Sequence, residues 1–370
     1  MKYIDDFRNA DFAKTLAKKI ADAAIRSRYY RLMEFCGGHT HTIHRYGLPR
    51  LLPDNVEMIH GPGCPVCVLP IARIDQAIFL ANLPEVIFCS YGDMLRVPGS
   101  NQCSLLQAKA RGADVRMIYS VDDALHIAQL NPQKEVVFFA IGFETTTPPT
   151  AYAIKRAKQL KLPNFTVFCN HVLTPVAMDS ILRTQDDIGC NLDGFVGPAH
   201  VSIVIGSQAY EAVSRKYQKP IVIAGFEPLD VLHAILMLIE QINKKQSQVE
   251  IQYTRAVTRD GNVMTQDLMT EVLALRSSFE WRGLGQIPKS AWQIKSAYRE
   301  FDAERRFKLP KTQGVEHKQC DCGAILRGIK KPQDCKLFAK VCTPQNPLGA
   351  CMVSSEGACA AVYAYDRGSL

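Results

Sequence analysis

Between residues 30 and 235 the chain alternates short apolar runs with longer stretches in which apolar residues recur every three or four positions. There are eight such runs: RLMEFC, VEMIHG, EVIFCSYG, VRMIYS, EVVFFAIG, FTVFCN, GFVGPA and PIVIAGF. Short, unbroken and rich in branched and aromatic residues, they predict strands, and the periodic stretches between them predict helices. Apolar strands that alternate with helices predict parallel sheets covered on both faces.

The eight runs compare loosely as two sets of four. RLMEFCGGHTHT and FFAIGFETTTPPT are each a strand, a glycine turn and a threonine-rich helix start. VEMIHGPGCPVC pairs with FTVFCNHVLTP, VIFCSYGDML with DGFVGPAHVSI, and VRMIYSVDDALHI with VIAGFEPLDVLHAI. This internal similarity predicts two α/β lobes, over residues 29–134 and 135–244. Two such lobes make a cleft at the carboxyl ends of their strands, where α/β folds place ligands. Residues 1–28 read as an amphipathic helix with Phe7, Phe12, Leu16 and Ile20 on one stripe. Beyond residue 245 come a strand-like VEIQYTRAV, a helix and a tail rich in proline, glycine and cysteine. Residues 1–28 and 245–370 are therefore expected to form a third domain.

At 370 residues the chain is long enough for two or three domains. No run of about 18 apolar residues is present, so no spanning helix is expected. The start, MKYIDDFRNADFAKTL, carries acidic residues and no apolar core, which argues against a secretory signal and for the cytoplasm. The net charge of +8 is spread along the chain with no basic cluster among aromatics, so neither nucleic acid nor a membrane is an expected partner. There is no P-loop.

The thirteen cysteines change the picture, because a reducing compartment makes clustered cysteines metal-binding or redox-active. Cys89, Cys103, Cys169 and Cys190 are scattered and read as small buried hydrophobes. Cys320, Cys322, Cys335, Cys342, Cys351 and Cys359 crowd the tail. Their gaps match neither zinc-ribbon knuckles nor ferredoxin spacing. The set can supply four thiolates to one [4Fe–4S] cluster with two left over, and zinc or unligated buried thiols are the alternatives. Pro332, Pro344, Pro347 and Gly349 supply the turns that would gather them.

Nearer the start, EFCGGHTHTIHRYG places Cys36 among His39, His41 and His44, and HGPGCPVC follows with Cys64 and Cys67. Glycines let backbone amides approach a ligand, and thiolate with imidazole suits a borderline metal such as Fe(II). A Cys-x-x-Cys at a helix start has the makings of an exchangeable pair. It could also bind zinc with His60 or His39. Glu144 with Thr145–Thr147, His171 and His200 fall at further strand tips and are expected to line the cleft from the other lobe. His126 and His233 fall on predicted helices and read as ordinary polar residues.

Taken together, CGGHTH, GPGCPVC, IGFETTTPPTA, GPAHVS, GFEPLDVL and CMVSSEGACAAVYAY resemble the HypD family of hydrogenase-maturation proteins, across essentially the whole chain. The resemblance implies assembly of the Fe(CN)2CO group of [NiFe]-hydrogenase. A HypC-type chaperone would hold the iron jointly with Cys36, and a HypE-type partner would donate cyanide from a thiocyanate. It implies two similar α/β lobes and a third domain with one [4Fe–4S] cluster. The family's C-x14-C-x6-C-x16-C pattern falls on Cys320, Cys335, Cys342 and Cys359. Cys322 and Cys351 are then a spare pair placed to relay electrons to Cys64 and Cys67. His39, His41 and Glu144 join these cysteines as candidate catalytic residues. A non-catalytic metal-carrying scaffold and a generic thiol–disulfide oxidoreductase are the rival readings.

Overall fold

A computed structural model describes residues 5–185 and 191–366; Cys190 lies outside them. The apolar runs form parallel strands: β1 (Tyr30–Glu34), β2 (Val56–His60), β3 (Val86–Ser90), β4 (Val115–Met117), β5 (Glu135–Gly142), β6 (Phe165–His171), β7 (Gly194–Pro198) and β8 (Ile221–Ala224). A further strand, β9 (Val249–Ile251), extends the first sheet, whose order is β2-β1-β7-β8-β9, and the second sheet is β4-β3-β5-β6. All pairings within these two sheets are parallel.

The strands do not group into the sequential halves expected, 29–134 and 135–244. β1 and β2 pair with β7 and β8 across the chain, and the four strands between them make the other sheet. The internal similarity nevertheless maps onto the sheets. β2-β1-β7-β8 in one and β6-β5-β3-β4 in the other carry the paired motifs at matching places. Local pattern specifies what a strand is, while the crossover that follows β2 decides which sheet the next strands join.

Side-chain alternation then sorts the apolar residues into three cores. Met33 of β1, Val137, Phe139 and Ile141 of β5, and Ile221 and Ile223 of β8 point into one central core between the sheets. On the opposite face of the second sheet, Val136, Phe138 and Ala140 meet Trp292, Ile294 and Phe301. On the opposite face of the first sheet, Leu32, Val196 and Val222 meet Val231, Ile235 and Leu238 of the helix Pro228–Asn243.

The N-terminal helix Ala10–Ala23 packs on this last helix rather than on the C-terminal region, so it belongs to the first lobe and not to the third domain. Asn9 caps it, its side chain accepting from the amides of Asp11 and Phe12 at 2.9 and 3.1 Å. Of the expected stripe, Ile20 is fully buried and Leu16 packs against that core, whereas Phe12 is 61% exposed. The stripe is narrower than the sequence suggested because a single partner helix covers it.

The C-terminal region packs over the two sheets. Leu273–Leu275 pairs antiparallel with Trp292–Ile294, and Ser278–Trp281 with Gly285–Pro288. The tail that follows sends Cys322, Ile325, Leu337, Phe338, Cys351, Met352 and Cys359 into the central core. Among the described residues no helix is long and apolar enough to cross a membrane.

Candidate functional site

Cys36 ends the turn after β1 and caps the helix Gly37–Arg45 from an extended backbone. The amides of Gly38 and His39 at that helix start lie near its sulfur and favour the thiolate. Burial, with Glu356 and then Glu34 close by, nevertheless pushes the thiol far above its ordinary value. The resting side chain is therefore a protonated thiol that a metal cation would have to deprotonate.

Two glycines make the approach of the neighbouring segments possible. A Cβ at Gly63 would lie 2.4 Å from Cys36 Cα, and one at Gly37 would lie 2.4 Å from Glu356 Cβ. The HGPGCPVC loop is thus pressed directly on the Cys36 turn, and the Gly37 amide donates to the Gly63 carbonyl at 3.3 Å.

The three histidines that follow have separate fates. His39 is fully buried: its Nε2–H donates to the carbonyls of Ala224 and Gly225 at 3.1 and 3.0 Å, and its Nδ1 has no partner among the described residues. Burial holds it below the usual imidazole range. Phe226 stacks between His39 and His200, with ring centroids 4.6 and 4.3 Å away. His41 is half-buried and meets Tyr365 edge-on. Together with His200, Phe226, Glu227 and Glu356 it lines a cleft of about 380 Å³ over the helix start.

His44 faces the other way. It donates from Nδ1 to Asp366, and its Nε2 meets His60 Nε2 at 2.8 Å. Burial, and then the neighbouring His60, lower its pKa to about 4, so the ring is neutral and its Nε2 accepts from His60. His60 Nδ1 in turn lies 3.0 Å from Glu34, whose other carboxylate oxygen accepts from the Cys36 amide at 2.9 Å. This file ties the end of the chain to both cysteine loops. Nothing in the local pattern singles out Glu34 or Glu356. Their only signals are adjacency to CGG and a place between Cys351 and Cys359.

Glu144 and His171 sit at strand ends as expected but do not line the cleft. Glu144 is buried and accepts from the Thr174 amide and hydroxyl, both at 2.9 Å, fastening the start of the helix Thr174–Thr184. His171 is fully buried against Thr150 at 2.8 Å, with its pKa lowered by burial to about 3. Thr145–Thr147 open the helix Thr147–Gln159, the Thr147 hydroxyl donating to the Phe143 carbonyl. These groups hold the second lobe together.

Burial raises the Glu144 carboxyl to about 7. A carboxyl raised in the folded state contributes stability that is complete below its unfolded pKa and drains away as pH rises through the folded one. Glu144→Gln keeps an acceptor for Thr174. The wild type should lose up to roughly 3 kcal/mol relative to this variant between pH 4.5 and 7. Parallel urea titrations of the two proteins across that range would reveal a pH-independent difference if Glu144 were not the cause.

Cys64, Cys67, Cys351, Cys322 and Cys320 form a file of sulfur. The helix Pro65–Val68, begun by Cys64, packs against the short turn Ala350–Met352, which sets Cys67 against Cys351. Cys351 Sγ in turn lies 2.7 Å from Cys322 Sγ. Contact with Cys322 first, and then with Cys67, holds the Cys351 thiol below the ordinary value despite complete burial. Cys67 is pushed up by burial and by contact with Cys351 and Cys64. Cys322 also touches Cys320.

All six tail cysteines line one small pocket whose other walls include Ile325, Leu337, Phe338 and Met352. Among the described residues no three His, Cys, Asp or Glu side chains converge as they would on a single ion. A set spread around an apolar pocket, without nitrogen or oxygen donors, suits a cluster rather than one cation. The Leu348 amide donates to Cys342 Sγ at 3.4 Å, the kind of bond that stabilises cluster thiolates.

Comparison with known proteins shows the family. The family model described as "HypD: Hydrogenase formation hypA family" matches residues 11–366. The chain is 62% identical over 369 residues to the hydrogenase maturation factor HypD of Azotobacter vinelandii, covering 99% of this chain and 97% of that one. It is 60% identical over 370 residues to the Cupriavidus necator protein of that name, covering 99% and 98%. Against the Escherichia coli (strain K12) protein the identity is 47% over 370 residues, with 99% and 98% covered. With a family match over nearly its whole length and relatives this similar, the chain belongs to the HypD family of hydrogenase maturation factors.

Proposed function

We propose that the chain carries the iron of a nascent Fe(CN)2CO group at Cys36 and re-reduces the thiol pair beside it. A HypC-type chaperone and a HypE-type cyanide donor are its partners. The iron is cargo, and Cys36 is the group that accepts it. The observation that supports this reading best is the unbroken file of sulfur from the tail pocket to the loop pressed on Cys36. A scaffold has no use for such a file, and a generic thiol oxidoreductase leaves Cys36 unexplained.

Release of cyanide from a thiocyanate is reductive: R–S–C≡N takes two electrons and one proton to give R–SH and cyanide. One dithiol supplies two electrons as it becomes a disulfide, and Cys64 with Cys67 is the pair next to Cys36. Once oxidised, that pair is reached by Cys351. The Cys351 thiolate attacks Cys67 Sγ and Cys64 leaves; Cys322 then attacks Cys351 and Cys67 leaves. Two electrons have moved from the tail pair to the loop pair, and every bond broken is matched by one formed.

Cys320, Cys335, Cys342 and Cys359 would hold a [4Fe–4S] cluster, which when bound supplies single low-potential electrons beside Cys322. His39 keeps one ring nitrogen unpartnered beneath the cleft, whereas His44 is fully engaged. His39 is therefore better placed than His44 to face the cargo.

The test is infrared spectroscopy of the complex purified anaerobically with a HypC-type chaperone. Wild type should show cyanide and CO stretches, and Cys36→Ala should show neither. Bands that persist in the variant would remove Cys36 from the role, and their absence from wild type would sink the reading as a whole.

A further inference from the structure

Arg282 follows the strand Ser278–Trp281 and is only 3% exposed. A buried guanidinium normally has every donor bonded. Here Nε and Nη2 are buried and make no hydrogen bond with any described residue. Among the described residues its ion pair is a long one, 3.5 Å from Nε to Glu316, whose side chain is 45% exposed. A charge held this way is costly unless something else compensates it.

The surroundings identify what that is. Arg282 lines a small pocket with Cys320, Cys322, Gly349, Glu316 and His317. Its turn is fixed against both thiol segments. The Arg282 amide donates to the Val68 carbonyl, one residue past Cys67, at 2.8 Å. A Cβ on the next residue, Gly283, would lie 2.5 Å from Gly323 Cα, one residue past Cys322. The other cations nearby in the tail are already engaged: Arg327 with the Gly323 carbonyl, Lys330 with Asp321 and Lys331 with Glu57. Meanwhile the cysteine pocket is walled by Ile325, Leu337, Phe338 and Met352 and has no cation in its lining.

We propose that Arg282, set in one small pocket with Cys320 and Cys322, is the built-in counter-charge of the tail's iron–sulfur centre, its charge holding the reduction potential up. This rests on the reading that Cys320, Cys335, Cys342 and Cys359 hold a [4Fe–4S] cluster. Four thiolates around a [4Fe–4S]2+ core carry a net charge of −2, and one added electron makes it −3. In an apolar pocket that third charge is the hard one to accommodate, and a fixed guanidinium offsets it without solvent. Arg282 touches no reacting group in this scheme; it is a positioning residue acting through charge.

The experiment is a redox titration of the intact protein, isolated anaerobically with dithionite as reductant and followed by electron paramagnetic resonance. Wild-type iron and sulfide content comes first: a wild type without a cluster ends both readings. With the cluster present, Arg282→Gln should shift the reduction equilibrium at least tenfold toward the oxidised form, which is 59 mV for a one-electron couple. Arg282→Lys should recover most of that shift. Glu316→Gln, at a half-exposed position, should move the potential in the opposite direction. A wild-type potential in Arg282→Gln, or an equal shift in Arg282→Lys, overturns the proposal. Should Arg282→Gln fail to retain its cluster, Glu316→Gln decides: a raised potential supports the counter-charge, and an unchanged one refutes it.

Discussion

Replacing Cys351 with serine should stop electron transfer between the two thiol pairs, slowing re-reduction of an oxidised Cys64–Cys67 pair by on the order of 10³-fold or more. The argument is geometric before it is chemical. Of the tail pair, Cys351 is the member set against the loop pair, with Cys322 Sγ at 2.7 Å on one side and Cys67 on the other. It is also the member of the file whose thiol is held below its ordinary value, while Cys67 and Cys322 are pushed up. The sulfur that must attack first is thus the one most easily ionised. A serine hydroxyl at neutral pH is neither ionised nor able to form the mixed disulfide.

Cys322→Ser makes the contrasting case. Cys351 can still attack Cys67, but nothing resolves the product, so a Cys351–Cys67 mixed disulfide should accumulate. Quenching by alkylation followed by mass spectrometry separates the outcomes: no cross-link in Cys351→Ser and a trapped one in Cys322→Ser. Normal re-reduction in Cys351→Ser would mean that electrons reach Cys64 and Cys67 by another path.

How much of this was legible in the sequence depends on the range of the interaction involved. Strand identity is local, so β1 to β8 follow from apolar runs, and so do the motifs at their carboxyl ends. Sheet membership is not local. The similarity of RLMEFCGG to FFAIGFET specifies matching strands, yet β1 joins β7 and β5 joins β3 through crossovers that no pattern encodes. The N-terminal helix shows the same limit, since an amphipathic stripe says that a partner exists without saying which.

At the site, cysteines were legible because thiols are rare and their clustering has few explanations. Carboxylates and arginines were not. Glu34 and Arg282 look like any charged residue until the fold buries them, and Glu356 until the fold brings it against Gly37. Glu144 misled in the opposite sense, since a glutamate at a strand tip is as well suited to fastening a helix start as to catalysis. Both errors arise because a side chain's burial is a property of the assembled cores.

The same limit hides Glu304, a residue that joins one lobe to the segment leading into the tail. Glu304→Gln should lower the unfolding free energy by about 2–3 kcal/mol, less than the cost of breaking a fully buried ion pair, because the Glu304 side chain is still 24% exposed. Glu304 lies between two arginines. Arg73 reaches its carboxylate at 2.7 and 3.2 Å, and Arg276 binds the same two oxygens. Arg73 also donates to the Cys169 carbonyl at 3.1 Å and lies 4.1 Å above the Phe168 ring, while Arg276 donates to the carbonyls of Cys169 and Trp292. Burial by itself would raise the Glu304 carboxyl, but the two guanidinium groups hold it at about 2. A carboxyl depressed in this way contributes stability above its unfolded pKa and gives it up as pH falls toward the folded one. Wild type should therefore lose stability between about pH 4.5 and 2 by a step that Glu304→Gln lacks. Urea titrations at pH 7 and under acid conditions measure both effects. A variant within 1 kcal/mol of wild type at pH 7 would show that the arginines are satisfied without it. The consequence reaches the chemistry because Arg73 belongs to the helix Ile71–Ala81, which begins soon after Cys67, and Glu304 to the segment that leads into the cysteine tail. Loosening that joint releases the tail from the lobe that holds Cys67. Even at temperatures where Glu304→Gln is still folded, the Cys351–Cys67 contact should exchange more slowly than in wild type.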